Sequence, residues 1–417
     1  MIKMKLYLII FTKLLNLVII GLLLSQFAIA QENTQTPRST RIVGGRVAQA
    51  GDWPWMVALV YRDTSLPESQ EIPALESQFC GGTLIHPRWV LTAAHCVMDT
   101  SSWIVSPLRN TKLDVILGVH NLRMDQGERV HVEKVVVHPQ YDSNNFATPD
   151  IALLELEKAV NYPILSLITQ GSPLDQAGMM ATAIGWGSTS TVFSRPILLD
   201  ELHQVSLPII SNEVCQQALL ELLKAEGEDE VTVESLPINS AKLCAGFVEG
   251  GKDVCYGDSG GPLLVLNEQG TGWKQAGIIS FGMTDNCAEP SSYTVYTRTA
   301  TFGEFIGENL CKTGSNSSID TLFTNPIPPA PALKLAISDH TVTATWSPLE
   351  KATGYQIFYA PYPSGIPVNN LDVGHQTEYS ATLESGQNFY VAIRAYSGFC
   401  YGDFSNIEHF IIPNTYF

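Results

Sequence analysis

The sequence predicts an all-β protein, built as sandwich or barrel. Short runs rich in β-branched and aromatic residues recur between turn signals from Ile42 to about Leu310, among them WPWMVALVY, LDVILGV, RVHVEKVVV and QAGIIS. They do not alternate with helical patterns, which argues against a parallel α/β sheet. A second set of short runs, HTVTATW, GYQIFYA and NFYVAIRAYS, follows a stretch rich in Ser, Thr, Asn and Pro. With 417 residues the chain exceeds one ordinary domain, and two are expected.

Taken in order, residues 1–30 read as a secretory signal peptide. Lys3, Lys5 and Lys13 precede an apolar run that closes on Ala28-Ile29-Ala30, a small-residue cleavage pattern. The bland alternative is an uncleaved anchor, but Lys13 and Asn16 interrupt the start of the run. No other stretch reads as a membrane span, so the processed chain is expected to be secreted, extracellular or periplasmic. Residues 31–41, QENTQTPRSTR, are short and polar. TFGEFIGENL (301–310) carries Phe302, Phe305, Ile306 and Leu310 at helical spacing and predicts a closing helix. Residues 312–327 have linker composition, extended near their prolines. The last stretch, 328–417, has the size of one small β-sandwich.

A formal charge of −17 makes nucleic acid a poor partner and is read as a solubility feature. Eight cysteines, at 80, 96, 215, 244, 255, 287, 311 and 400, suggest disulfides in an exported chain. Metal binding is the weaker reading, because C-x-x-C spacing is missing.

One constellation carries chemistry. A serine hydroxyl is a poor nucleophile at neutral pH and needs a base, an acid to orient that base, and donors for the oxyanion. LTAAHC supplies His95, DIALLEL supplies Asp150 at a strand start, and GDSGGP supplies Ser259. The glycines around Ser259 let the backbone turn so that N–H groups, of Gly257 and Ser259, point at one site. Singly, each residue has a bland reading: a core histidine, a capping aspartate, a turn serine. Jointly those readings are improbable.

Residues 42–310 resemble the trypsin/chymotrypsin family of serine proteases. The motifs that carry the resemblance are RIVGG (41–45), CGGTLI (80–85), LTAAHC, DIALLEL, GWG (185–187), DVCYGDSGGP and GIISFG (277–282). The order His, Asp, Ser also fits this family. The resemblance implies a protease domain over 42–311, folded as two antiparallel chymotrypsin-like β-barrels with the site between them. It implies peptide-bond hydrolysis through an acyl-enzyme: Ser259 attacks, His95 is base then acid, and Asp150 holds the imidazole. The Gly257 and Ser259 amides form the oxyanion hole, and Ser280 contacts Asp150 and lies on the strand beside the substrate. Partners would be protein or peptide substrates and proteinaceous inhibitors. No cofactor or metal is implied, since Val119 and Arg129 stand where trypsins carry acidic calcium ligands.

By the same resemblance Asp253 lies at the base of the specificity pocket, which implies cleavage after Arg or Lys, because a buried carboxylate demands a cation. Gly282 matches one pocket wall. Thr294 stands where trypsins usually have glycine, so a narrowed pocket preferring small or medium side chains is the alternative. A non-catalytic binding protein on the same scaffold is the rival from another class, but such proteins normally lack a triad residue. Residues 31–41 become an activation propeptide: cleavage after Arg41 frees the Ile42 ammonium to pair with Asp258. Disulfides Cys80–Cys96, Cys215–Cys244 and Cys255–Cys287 are implied by the resemblance. Cys311 and Cys400 are left over and are expected to pair by elimination. The insertion over 61–80 reads as a rim loop. Residues 328–417 resemble a fibronectin type III domain on Trp346, Tyr355, Leu383 and YVAIRAYSG, with Phe389 at the tyrosine-corner position as a departure. Asn316 opens an N-x-S sequon.

Overall fold

The computed structural model describes residues 43–63, 65, 71–99, 106–107, 112–188, 199–228, 230–284, 286–311, 328–398 and 400–413. The expected signal peptide, Arg41, Ile42, the expected linker and Asn316 lie outside these residues. Among the described residues no helix is long and apolar enough to cross a membrane.

Two closed six-stranded antiparallel barrels form the first and larger part, as the family resemblance implies. The first barrel is built from β1 (Met56–Tyr61), β2 (Gln78–His86), β3 (Trp89–Thr92), β4 (Leu113–Leu117), β5 (Glu128–Val137) and β6 (Ala152–Leu156). They close in the order β1-β2-β3-β6-β5-β4. The second contains β7 (Met180–Gly185), β8 (His203–Ile210), β9 (Lys242–Ala245), β10 (Pro262–Leu266), β11 (Trp273–Gly282) and β12 (Thr294–Arg298). Its order is β8-β7-β10-β11-β12-β9, with β9 pairing back to β8. The reason these runs form barrel strands is visible in burial. Leu113, Val115 and Leu117 alternate inward, and Ile116, on the opposite face of β4, packs into a separate cluster with Trp53, Ile184 and Trp186. That cluster, drawn from both barrels, joins them.

The sequence reading named no helix between the barrel motifs, but among the described residues a long one is present, besides a single turn at Ala74–Ser77. Helix α1 (Asn212–Ala225) starts at Ser211, whose hydroxyl accepts from the Val214 N–H, and buries Cys215, Ala218, Leu219 and Leu220. The N-cap serine, Glu213 in the first turn and Lys224 in the last are ordinary start and stop signals. The closing helix, α2 (Gly303–Leu310), returns to the first barrel, where Phe302 and Ile306 enter the core.

Residues 328–413 fold as two antiparallel sheets. One joins β13 (Leu333–Ser338), β14 (Thr341–Trp346) and β17 (Glu378–Thr382). The other joins β16 (Asn369–Gly374), β15 (Gly354–Pro361), β18 (Asn388–Ser397) and β19 (Cys400–Phe404), with β20 (Glu408–Ile411) on β18. Trp346, Tyr355, Ile357 and Ile393 fill the space between them. This part is tied to α2. A disulfide joins Cys311 to Cys400, and Arg394 reaches Glu304 at 2.8 Å while its guanidinium stacks on Phe358, Tyr401 and Phe404.

Candidate active site

The site begins within the first barrel, in the segment that joins β5 to β6. Asp150, immediately before β6, is 6% exposed, and an unpaired carboxylate there would be costly. Three donors answer that carboxylate, and a fourth holds the backbone of the same residue. The His95 N–H donates to Oδ1 at 2.9 Å and His95 Nδ1 to Oδ2 at 2.8 Å. Ser280 Oγ donates to Oδ2 at 2.5 Å. The Thr297 hydroxyl donates to the Asp150 backbone carbonyl at 2.9 Å. Burial alone would raise the Asp150 pKa, but the His95 charge and these hydrogen bonds outweigh it and hold it at about 2. Burial alone would likewise lower the His95 pKa; Asp150 overcomes that and raises it, while Lys242 opposes the rise. A carboxylate only accepts, so Nδ1 carries the ring proton and Nε2 remains a base.

Ser259 is brought in by a glycine. Gly260 has φ of +77°, and a Cβ there would lie 2.2 Å from Thr92 Oγ1. Without one, the second barrel's loop presses onto the strand end that leads into His95. The Gly81 N–H donates to the Ser259 carbonyl at 2.7 Å and completes the joint. A cavity of about 790 Å³ is lined by Ser259, Asp253, Gly282, Thr294, Phe146 and Phe281. A second, lined by His95 and Asp150, shares Phe146, Ser280 and Phe281 with it. Ser259 and His95 therefore flank one cleft. No hydrogen bond joins Ser259 Oγ to His95 Nε2; such contacts tighten when substrate is bound. His95 Nε2 lies 3.7 Å from the Cys96 sulfur.

Gly257 sits at φ +96°, a conformation that side-chain-bearing residues rarely adopt, and its carbonyl accepts from Gln78 Nε2 at 2.9 Å. Among the described residues the N–H groups of Gly257 and Ser259 have no protein acceptor.

Two further acids, both in the segment that leads to Ser259, are buried. Asp253 accepts from Thr294 Oγ1 at 2.6 Å, from the Val254 N–H at 2.9 Å and from the Ala288 N–H at 3.2 Å. Burial nonetheless raises its pKa to about 6. Thr294 thus turns its hydroxyl onto the carboxylate that the sequence reading set it against. Asp258 accepts from the Gly187 N–H at 2.7 Å and the Cys255 N–H at 2.9 Å. Burial raises it to about 7, and no cation pairs with it among the described residues. Val43, the first described residue, accepts from the Asp253 N–H at 3.0 Å.

Disulfides join Cys80 to Cys96, Cys215 to Cys244 and Cys255 to Cys287. Cys80, His95 and Cys96 lie close enough to suggest a metal site, but both sulfurs are committed to the disulfide.

The family described as Trypsin matches residues 42–306. This chain belongs to the trypsin family. It is 34% identical over 268 residues to human mannan-binding lectin serine protease 1, covering 62% of this chain and 34% of that protein. It is 34% identical over 264 residues to serine protease filzig of Drosophila melanogaster, covering 63% of this chain and 14% of that protein. The mouse mannan-binding lectin serine protease 1 matches at 31% over 272 residues. The match thus spans about a third or less of these relatives, all named serine proteases.

Sequence reasoning missed three residues of this trypsin-family site. Gln78, Thr297 and Lys242 contact Gly257, Asp150 and Thr148 across 179, 147 and 94 residues of chain. Separations of that length leave no local pattern to read.

Asp150 makes a pH-dependent contribution to stability. Its folded pKa of about 2 lies below the usual carboxylate value, so its stabilisation is present above pH ~4 and lost as pH falls through ~2. Ser280→Ala removes one donor and raises that pKa. The acid-unfolding midpoint, followed by near-ultraviolet circular dichroism, should then move up by about half a pH unit. An unmoved midpoint would show that the contact does not hold the carboxylate.

Proposed function

We propose that the chain is a secreted serine endopeptidase, made as a zymogen, that cleaves peptide bonds after Arg or Lys. The observation that carries this is the His95–Asp150–Ser280 hydrogen-bonded set opening onto the cleft that Ser259 also lines. In this reading Ser259 Oγ attacks the scissile carbonyl and its proton passes to His95 Nε2. The oxyanion is received by the free N–H groups of Gly257 and Ser259. Collapse breaks the C–N bond, His95 returns the proton to the leaving amine, and an acyl-enzyme remains. Water, deprotonated by His95, attacks the ester; its collapse returns the proton to Ser259 and frees the acid. Asp150 stabilises the imidazolium at each stage and keeps the proton on Nδ1.

Asp253 supports the Arg or Lys preference. Burial raises the pKa of its carboxylate despite the backbone and Thr294 donors, which bring no charge, so a substrate guanidinium supplies the charge it lacks. The second reading, small or medium side chains, draws on Thr294, a branched residue that lines the same cavity as Asp253.

Activation follows the same electrostatics. Cleavage after Arg41 would free the Ile42 ammonium for Asp258, a buried carboxylate with amide donors but no cation. Residues 1–30 would be the signal, 31–41 the propeptide, 42–311 the protease domain and 312–327 the linker. Residues 328–417 would be a fibronectin type III-type domain that braces α2, and protein inhibitors would share the substrate cleft.

Active enzyme should begin Ile-Val-Gly-Gly on N-terminal sequencing and carry a fluorophosphonate label on Ser259, lost in Ser259→Ala. Full activity in an uncleaved Arg41→Gln chain would overturn the zymogen reading, and label on another residue would overturn the nucleophile.

Specificity separates in an amidine competition. Below about pH 6 Asp253 takes a proton and loses its attraction for a cation, so a benzamidine should bind more weakly there. Asp253→Ser should cut Arg-substrate kcat/KM by about two decades or more. If Ala or Val substrates match Arg in the parent, and Thr294→Gly reverses the order, the small-residue reading holds instead.

A further inference from the structure

Among the described residues Lys242 is the one lysine in the set of largest fully buried side chains, at 1% exposure on β9. Lysines in such places are rare, because the ammonium loses its hydration. Among the described residues no carboxylate lies within ion-pairing distance of it. Its Nζ instead donates to the Thr148 carbonyl at 2.9 Å and lies 5.9 Å over the Phe281 ring. Both contacts belong to the catalytic cleft. Thr148 stands two residues before Asp150, and Phe281 follows Ser280, the donor to Asp150.

The neighbours of Lys242 form a clasp. Asn239, three residues earlier, donates through Nδ2 to the Ala147 carbonyl at 3.0 Å. Thr297, directly opposite Lys242 in the strand pairing, donates to the Asp150 carbonyl. Three side chains of the second barrel thus hold consecutive parts of one first-barrel segment. That segment also carries Phe146, whose ring lies 5.0 Å from that of Phe281 and lines the cleft beside Ser259. Lys242 is the only charged member of the clasp.

Resting on the proteolytic reading, we propose that Lys242 is a positioning residue for catalysis and for extended substrates: its buried ammonium pins the 146–150 segment against Phe281 and sets a fixed positive charge behind the His95–Asp150 pair. The charge and the donor have separable consequences. The positive charge favours ionised Asp150 and disfavours protonated His95; burial lowers the pKa of Lys242 itself, and Asp150 partly offsets that. The other titratable groups that line the His95 cavity are Asp150, Asp142 and Tyr141. Removing the lysine charge should therefore raise the His95 pKa. Removing the donor should loosen the Phe146 wall.

Two substitutions test this in the full chain. Lys242→Gln keeps a donor for the Thr148 carbonyl without charge, and Lys242→Met keeps neither. The His95 imidazole titration, read by NMR, should move up by about half a pH unit in both. KM for a peptide spanning several residues before the scissile bond should rise about three- to tenfold in Lys242→Met and less than about twofold in Lys242→Gln. An unmoved His95 titration in folded Lys242→Gln, whatever its Tm, overturns the charge role. Equal KM values in parent and both variants overturn the wall. Should Lys242→Met not fold, Asn239→Ala weakens the same clasp and should raise KM in the same direction. The titration needs no turnover. A parent chain that fluorophosphonate leaves unlabelled would therefore sink the proteolytic reading without deciding the charge effect.

Discussion

The Asp150 carboxylate is the interaction on which the rest of the site depends. It sits at the start of a first-barrel strand, yet one of its hydrogen-bond donors, Ser280, and the group on its carbonyl, Thr297, come from the second barrel. A buried anion tolerates few geometries, because each unpaired lone pair costs desolvation energy that nothing recovers. Meeting it fully requires the two barrels to sit in one relation. The imidazole orientation then follows, since the same carboxylate fixes both the His95 N–H and Nδ1.

The second constraint is charge deficit. Asp253 and Asp258 are buried, hydrogen-bonded by neutral donors, and raised to about 6 and about 7. Amide and hydroxyl donors satisfy geometry without cancelling charge. A protein that keeps two such acids gains most from cations that arrive later. A guanidinium entering the cleft and an ammonium released at Ile42 are the two arrivals the proposed function names. Each would turn a local cost into an energetic link between binding, activation and order in the loop that holds Ser259.

Much of the fold and part of the site are legible in the sequence. The barrel strands announce themselves because each is a short run with clear turn punctuation, and the GDSGGP loop because its glycines meet a steric demand seen at Gly260. Helix α1 carries its own signals, Ser211 and the leucines of NEVCQQALLELLKA, but these lie among β motifs that mask them. Lys242 was illegible for a different reason. Nothing near it in the chain distinguishes it from a surface lysine, and only closure of the second barrel onto residues 146–150 buries it. Thr294 was legible as a departure, but the direction of its hydroxyl, onto Asp253, was not.

The most direct test of this account is the rate at which a fluorophosphonate labels Ser259 in the cleaved parent and in Asp150→Asn. If the carboxylate keeps the proton on His95 Nδ1, replacing it with an amide allows the wrong tautomer, and labelling at neutral pH should slow by about three decades or more. The fold should remain intact by near-ultraviolet circular dichroism. A folded Asp150→Asn protein that labels within about threefold of the parent would contradict the claim that Asp150 governs the site.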